Sequence, residues 1–298
     1  MTGPILSVIM LTYNRERYIT EAITSVLNQT FQEIELIIID DGSSDRTEII
    51  VNEINSSRIL YYKFPHSGKG SQLRNLGLEK SHGKFIAFID SDDVWLPEKI
   101  RIQLDKLYSN SGKPGFVFSD ILLFNNSGEV LKSHIYKDVN LSGSNLFSQY
   151  VENEFAIYPS TILFDKRCLE ATGKLSELFS WTDNDFFHRM AFHYDGFLIK
   201  KPLVKIRRHD TNTSAKAGQK TIDEMMHMLT DFHKKGMINK SVFVKMISYY
   251  YYLSGMLFLN DRDHFLARKA FLNCIQNNPF NLKAWIRGGL TYFNILKF

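Results

Sequence analysis

An α/β fold, built on an open, doubly wound and mostly parallel sheet with a helical region after it, is the architecture the sequence predicts. Three observations predict it. Short β-rich apolar runs alternate with helix-period segments over the first hundred or so residues; the polar clusters directly follow those runs; and beyond residue 220 the pattern is helical throughout.

Taken in order, residues 5–11 (ILSVIML), 34–39 (IELIII), 58–62 (RILYY) and 84–89 (KFIAFI) read as strands, two of them almost wholly apolar, as strands covered on both faces are. Between them, residues 15–28 carry Tyr18, Ala22, Ile23, Val26 and Leu27 at helical spacing, and residues 45–55 and 70–80 read as two further helices. Past residue 115 the alternation weakens. GFVFSD and TILFD read as strands, with a turn at 125–128; residues 183–193 read as a helix, and 197–206 as a strand that Pro202 marks as an edge or irregular piece. After a polar stretch at 211–220 come amphipathic helices broken at Asn260-Asp261 and at Pro279, with Ala267, Ala270, Phe271 and Ile275 along one face. This last module resembles a single tetratricopeptide-like unit, which cannot bury its own face and has to pack on something else.

With 298 residues, 44% of them hydrophobic, the chain can bury a sizeable core as one large domain or two small ones. Seven Pro and 17 Gly exclude collagen-like and linker-dominated classes. Cys168 and Cys274 are far apart and form no CxxC, so neither a disulfide framework nor a zinc ribbon is expected, and a cytoplasmic location fits best. The N-terminus reads as a strand rather than a signal peptide, and the longest uncharged run, 246–260, falls short of the roughly 20 residues a membrane-spanning helix needs. Net charge is unevenly placed: residues 1–198 carry 19 Lys and Arg against 26 Asp and Glu, and residues 199–298 carry 17 against 6. The acidic part suits a bound cation, and the basic part suits phosphate or anionic lipid. Its cations are dispersed without the aromatic–basic motifs of a nucleic-acid reader, so no nucleic-acid partner is expected.

In a doubly wound sheet, ligands bind outside the carboxyl ends of the strands. Thr12-Tyr13-Asn14-Arg15, Asp40-Asp41-Gly42-Ser43-Ser44-Asp45 and Asp90-Ser91-Asp92-Asp93 all stand there. Asp and Ser are also ordinary N-caps, and Asp93 is placed to cap a helix opening at Pro97. One residue apart in extended chain, Asp90 and Asp92 are able to share a hard divalent cation with pyrophosphate oxygens.

The strings SVIMLTYNRERYITEAITSVLNQTFQEIELIIIDDGSSD and GKGSQLRNLGLEKSHGKFIAFIDSDDVWLPEKI closely resemble inverting glycosyltransferase family 2, whose fold is the Rossmann-like GT-A. The resemblance is strong over 5–105, moderate over 159–214 and weak in the tail. It implies a catalytic domain over 1–218, with a nucleotide-sugar-binding half at 1–114 and an acceptor half at 115–218, then a helical region over 219–298. It further implies a metal-dependent transfer of sugar from a nucleoside-diphosphate sugar, a UDP-sugar by preference, to a hydroxyl of a glycan or lipid-linked acceptor in surface polysaccharide synthesis. Thr12, Tyr13, Arg15, Asp41, Arg74, Asp90 and Ser91 become nucleotide-binding candidates, with Tyr13 beside the base and Asp41 at a uracil edge. Asp92 becomes the contact for Mn²⁺ or Mg²⁺, joined by His209 of the Arg207-Arg208-His209-Asp210-Thr211-Asn212-Thr213-Ser214 stretch, which resembles the family's closing loop; His209 could equally meet the diphosphate. In Trp181-Thr182-Asp183-Asn184-Asp185 the resemblance makes Asp183 the general base, with Asp185 and plain helix capping as alternatives.

Two other functions fit parts of the sequence. A sugar-1-phosphate nucleotidyltransferase needs a Gly-rich first loop, which residues 10–15 lack, and an inactive sugar-nucleotide-binding scaffold would act through the helical tail. The basic tail and its Tyr-rich run at 246–260 are expected either to touch an anionic membrane peripherally or to pack on the catalytic part or in a homodimer.

Overall fold

The computed structural model describes residues 4–109, 113–136, 142–143, 146–153, 155, 157–177, 182–209 and 218–291. The chain divides into two compact units, Met1–Asp210 and Thr211–Phe298.

The first unit begins as an alternation of strands and helices: β1 (Leu6–Thr12), α1 (Ile19–Leu27), β2 (Ile34–Asp40), α2 (Thr47–Glu53), β3 (Ile59–Lys63), α3 (Gly70–Glu79) and β4 (Phe85–Asp90). These four strands run parallel in the order β3-β2-β1-β4. The apolar runs follow from burial on both faces. Leu36 and Ile38 of β2 join Val8 and Met10 of β1 against Ala22, Ile23 and Val26 of α1, whereas Ile37 and Ile39 pack with Leu73 of α3 on the opposite face.

Beyond β4 lie the short β5 (Val94–Trp95), α4 (Lys99–Tyr108), β6 (Gly115–Asn125), β7 (Val130–Ser133), β8 (Ser142–Gly143), α5 (Leu146–Asn153), β9 (Leu163–Asp165), α6 (Leu169–Thr172), α7 (Thr182–His193) and β10 (Asp195–Arg208). They extend the same sheet as β4-β9-β6-β10-β5, with β7 on β6 and β8 on β10. β9 is antiparallel to both neighbours, so β6 points the same way as β4. Through β9 the register sets Ala87 level with Val117, so Asp120 of β6 stands level with Asp90 of β4. Pro202 is a correction in part: β10 lies between β6 and β5 rather than at an edge, and register shifts at Ile199, Pro202 and Val204 absorb the missing N–H. The turn expected at 125–128 joins β6 to β7, whereas β7 itself and helix α5 had no clear signal in the sequence.

The second unit is all helical: α8 (Gln219–Lys234), α9 (Lys240–Asn260), α10 (His264–Asn277) and α11 (Leu282–Leu290). Asn239, Asp263 and Asn281 accept hydrogen bonds from Val242, Leu266 and Ala284 N–H groups and so start three of these helices. Ala267, Phe271 and Cys274 of α10 pack with Leu259 of α9 and Ala284 of α11. Gly255 is needed at the α9–α10 crossing, where a Cβ would fall 2.6 Å from the Phe271 ring. The uncharged run 246–260 lies inside α9. Among the described residues, this 21-residue helix is the one long and apolar enough to qualify as a candidate span, at mean hydropathy 1.3 with 39% of its best window packed inside the protein.

Helix α7 is anchored from below by His188, whose ring lies 3.7 Å from that of Tyr150 and nearly parallel to it. Burial pushes the His188 imidazole from its ordinary 6.5 down to about 4, against a backbone hydrogen bond to Asn184 that favours the charged form. The unfolded chain therefore binds a proton here between pH 6.5 and about 4 that the folded chain refuses. The stabilisation from keeping this ring neutral is complete above pH 6.5 and drains away on acidification, by roughly 3 kcal/mol in all. Melting curves of the wild type and His188→Gln from pH 7 to 4 are expected to converge as pH falls, with the variant losing less.

Candidate active site

The carboxyl ends of β1, β2 and β4 open onto one crevice, and the loops there hold one another in place. After β1, Asn14 adopts φ 50°, a left-handed turn that Asn tolerates, and its side-chain oxygen accepts from Ser44 N at 2.8 Å while its own N–H donates to Ser43 Oγ at 2.9 Å. Arg15 N donates to Thr47 Oγ1 at 2.8 Å. The DDGSSD stretch is thus stitched to the first loop. Thr12 is buried at the end of β1; its carbonyl accepts from Asp41 N, and its hydroxyl has no hydrogen-bond partner.

Asp40 and Asp41 play different parts. Asp40 accepts from Ser43 N at 2.7 Å and from the Tyr61 hydroxyl, closing the turn after β2. Asp41 Oδ1 accepts from Ser67 N and Oγ at 2.7 and 3.0 Å, Oδ2 accepts from Gly68 N at 2.9 Å, and His66 Nδ1 lies 3.0 Å from Oδ2. The 66–68 loop thus fills Oδ1 and one site on Oδ2, while the His66 Nδ1 hydrogen bond goes to the Asp41 carbonyl at 2.9 Å, so a nucleobase edge would meet this carboxylate at Oδ2 or by displacing a loop donor. The same loop lays the His66 ring on Tyr13, centroids 4.1 Å apart and planes 15° from parallel. Gly42, at φ 76°, allows the close approach: a Cβ there would lie 2.6 Å from His66 N.

At the end of β4, Arg74 of α3 reaches two carboxylates that are far apart in sequence, Asp90 at 2.9 Å and Asp183 of α7 at 2.6 Å. Burial works against the Arg74 charge, and Asp183 and Asp90 outweigh it, raising its pKa. Burial also pushes the Asp90 carboxyl up to about 6; Arg74 restrains the rise, and the charges of Asp92 and Asp183 add to it. Asp183 keeps 27% of its side chain exposed, whereas Asp185 keeps 7% and is held by Arg189 at 2.7 Å. Arg189 continues to the Thr172 and Lys174 carbonyls, so Asp185 belongs to the brace behind the helix and Asp183 faces the crevice. Trp181 lies outside the described residues.

Asp92 meets His209 Nε2 at 2.9 Å and Arg15 Nε at 3.7 Å. The His209 ring stacks on Tyr18, centroids 5.0 Å apart. Asp93 caps no helix, since α4 starts at Lys99 without a side-chain cap. Its carboxylate accepts instead from Ser160 Oγ and, at 3.1 Å, from Arg207 N. Burial, then the charges of Asp90 and Asp92, raise its pKa well above the carboxylate range. Arg207 Nε donates to the Asp92 carbonyl at 3.0 Å and its guanidinium pairs with Glu21. Ser91 is buried in the same turn. Asp210, Thr211, Asn212, Thr213 and Ser214 lie outside the described residues.

Of the sequence-predicted residues, Arg74, Asp90 and Asp183 form one cluster, Asp92, His209 and Arg15 a second, and Tyr13 and Asp41 a third built on the 66–68 loop. Asp92 with His209 is a two-donor set, and no group of three or more His, Cys, Asp or Glu able to hold a metal stands among the described residues. Two donors, one a hard carboxylate, fit Mg²⁺ or Mn²⁺ when phosphate oxygens and water complete the shell. Sequence reasoning missed His66, Ser160 and the second role of Arg207. His66 and Ser160 carry no local motif; they are identified only by what folds against them. Asp120 was also missed: fully buried, it accepts from Ile135 N at 2.8 Å, while its Oδ2 has no hydrogen-bond partner and lies 3.7 Å from His134.

The glycosyl transferase family 2 model matches residues 7–119, the stretch that builds this crevice. Residues 7–119 are thus similar to the family 2 glycosyltransferases. An uncharacterized glycosyltransferase of Haemophilus influenzae is 42% identical over 112 residues, 37% of this chain and 45% of that protein. The Escherichia coli UDP-Glc:alpha-D-GlcNAc-diphosphoundecaprenol beta-1,3-glucosyltransferase WfgD is 37% identical over 132 residues, 44% of this chain and 51% of WfgD. The matches thus span about half the length of these two relatives. Among solved structures, S. aureus TarS 1-349 in complex with UDP-GlcNAc superposes with a TM-score of 0.70 at 18% identity, covering 96% of this chain and 89% of that one, a likeness of fold that makes the sheet a GT-A sheet. Residues 205–288 match a second model, anaphase promoting complex subunit 8 / Cdc23.

The crevice depends on the Gly42–His66 approach. Gly42→Ala is expected to force the 66–68 loop off Asp41 and lower stability by about 1–3 kcal/mol, readable as a reduced denaturant midpoint.

Proposed function

We propose that the protein transfers a sugar, with inversion, from a nucleoside-diphosphate sugar to a hydroxyl of a glycan or lipid-linked acceptor, with a UDP-sugar as the preferred donor. The observation that carries this reading is the pairing of Asp183 and Asp90 through Arg74 beside the Asp92–His209 pair: a crevice-facing carboxylate next to groups suited to a diphosphate.

In this reading Tyr13 and His66 provide the stacking surface for the base, and Thr12, Arg15, Asp41, Arg74, Asp90 and Ser91 surround the nucleotide. The neutral, ring-shaped face suits uracil, whose imide N–H meets Asp41 at Oδ2 or once a loop donor yields. Asp183 accepts the proton of the acceptor hydroxyl as that oxygen bonds to the anomeric carbon. The bond from that carbon to the diphosphate oxygen breaks on the opposite side, and its electron pair leaves with the diphosphate. Arg74 fixes the orientation of Asp183, and its charge lies near the phosphates. Asp92 and His209 would hold a Mn²⁺ or Mg²⁺ ion, which when bound offsets charge building on the departing diphosphate. The specificity of WfgD for a diphosphoundecaprenol-linked sugar supports a lipid-linked acceptor.

The test is a donor screen measuring nucleoside diphosphate release from UDP-, dTDP- and GDP-sugars with and without Mn²⁺. Release from none of them with a panel of glycan and lipid-diphosphate acceptors would overturn the reading. Asp183→Asn is expected to leave donor affinity near normal and to lower kcat by two to four orders of magnitude, roughly the contribution of a general base; an equal loss of donor affinity would assign it a structural role. Asp92→Ala is expected to abolish the Mn²⁺-dependent rate, and unchanged turnover in Mn²⁺ would remove it from the ion site.

A further inference from the structure

The outermost helix of the second unit has its polarity reversed. Helix α11 buries Ala284 and Gly288, a small-residue stripe laid against α10, and turns large apolar side chains outward: Leu282 is 72% exposed, Trp285 53% and Ile286 62%. Phe280, just before the helix, is 90% exposed. A soluble helix at the rim of a bundle shows the opposite pattern, with charge outward and apolar bulk inward, and neighbouring large apolar side chains left open to solvent mark an interaction surface. The side chains flanking this face are Lys283 and Arg287, and α10 adds Arg268 and Lys269. From His264 to the end of α11 there is no Asp or Glu.

That charge pattern decides what the face fits. A second copy docking face to face would gather the Lys283 and Arg287 charges of both copies at one interface to which residues 264–290 bring no carboxylate, which opposes an isologous contact. An anionic lipid surface supplies negative charge, and it has an interfacial layer that accommodates an indole and aliphatic side chains together with basic groups. Trp285 is suited to that layer: its Nε1 already donates to the Pro279 carbonyl at 2.9 Å, which leaves the body of the ring to be buried without an orphaned donor. Within the Tyr-rich run 246–260, Tyr250, Ser254, Gly255 and Leu259 are buried and Tyr249 is 39% exposed, whereas the large apolar side chains most open to solvent in this unit are those of 280–286 and Phe265 of α10.

We propose that the tip formed by Phe280, Leu282, Trp285 and Ile286, flanked by Lys283 and Arg287, is a docking surface for anionic lipid bilayers. Apolar side chains insert to interfacial depth, and the basic pair meets lipid phosphates. The surface binds without the transfer reaction, so its test is separate from that of the proposed activity.

The test uses the full chain and sedimentation with vesicles of phosphatidylcholine alone or mixed with phosphatidylglycerol, at low and high salt. Binding to the mixed vesicles at low salt, weakened by high salt and by omission of the anionic lipid, is the expected result. Lys283→Gln with Arg287→Gln is expected to weaken partitioning about thirtyfold at low salt, the combined effect of two basic groups. Trp285→Ser with Ile286→Ser is expected to weaken it at both salt concentrations. All four positions are surface-exposed or half-buried, and a circular-dichroism melt checks that each double variant remains folded; quenching of tryptophan emission by brominated lipid, lost in Trp285→Ser with Ile286→Ser while Trp95 and Trp181 remain, gives a second readout. Absence of binding to mixed vesicles at low salt, or binding that both double variants retain, overturns the proposal. So does a concentration-dependent dimer by analytical ultracentrifugation that Trp285→Ser with Ile286→Ser dissolves, which would give the face to a second copy.

Discussion

One guanidinium holds the acidic edge of the sheet together. Asp90, Asp92 and Asp183 bring three carboxylates to one rim, where burial, with the charges of Asp92 and Asp183 adding to it, raises the pKa of Asp90. Arg74 answers two of them at once and is itself almost out of solvent, so its removal would leave two part-exposed carboxylates facing each other without their shared counter-ion. The bridge also joins the parallel half of the sheet to α7, an element of the mixed half. Which carboxylate faces the crevice follows from it: Arg74 fixes Asp183 there, and Arg189 holds Asp185 behind.

The second closure is made at Asp93. Its carboxylate connects Ser160, between α5 and β9, with the backbone of Arg207 at the end of β10, while Arg207 reaches back to Asp92 and to Glu21 of α1. The Arg207 guanidinium lies between the Tyr18 and Phe124 rings, 5.0 and 4.3 Å from their centroids. The last strand of the unit is thereby locked to the first helix, and His209 follows directly at Asp92. A local acidic turn thus becomes a rim on which distant segments converge, and its charge is tolerated because each carboxylate has a cation or a donor in reach.

The second unit follows a simpler rule. Small residues permit close helix contact: Gly255 faces the Phe271 ring, and Ala284 and Gly288 form the buried face of α11. Because that contact is satisfied by small side chains, the bulk of α11 is free to point outward.

Much of the first unit was legible in the sequence, since parallel strands buried on both faces leave uninterrupted apolar runs, and the loops that follow carry their polar clusters in plain view. The four leading strands and three helices needed only local pattern. The later strands did not yield as well: β10 hides an interior strand behind a proline whose missing N–H a bulge accommodates, and α5 has no distinctive boundary signal. At the site, residue types announced Asp90, Asp92 and Asp183, because acidic side chains after a strand or at a helix start stand out. Their partners could not be read, since hydrogen-bonding reach across a fold depends on register and packing rather than on neighbours in sequence. Only the tertiary structure decided that Asp41 cradles a loop, that Asp93 closes the sheet instead of capping a helix, and that α11 turns large apolar side chains outward. Sequence specifies which side chains are available; the three-dimensional arrangement determines which charges share a counter-ion and which apolar surfaces remain uncovered, because both depend on contacts between segments far apart along the chain.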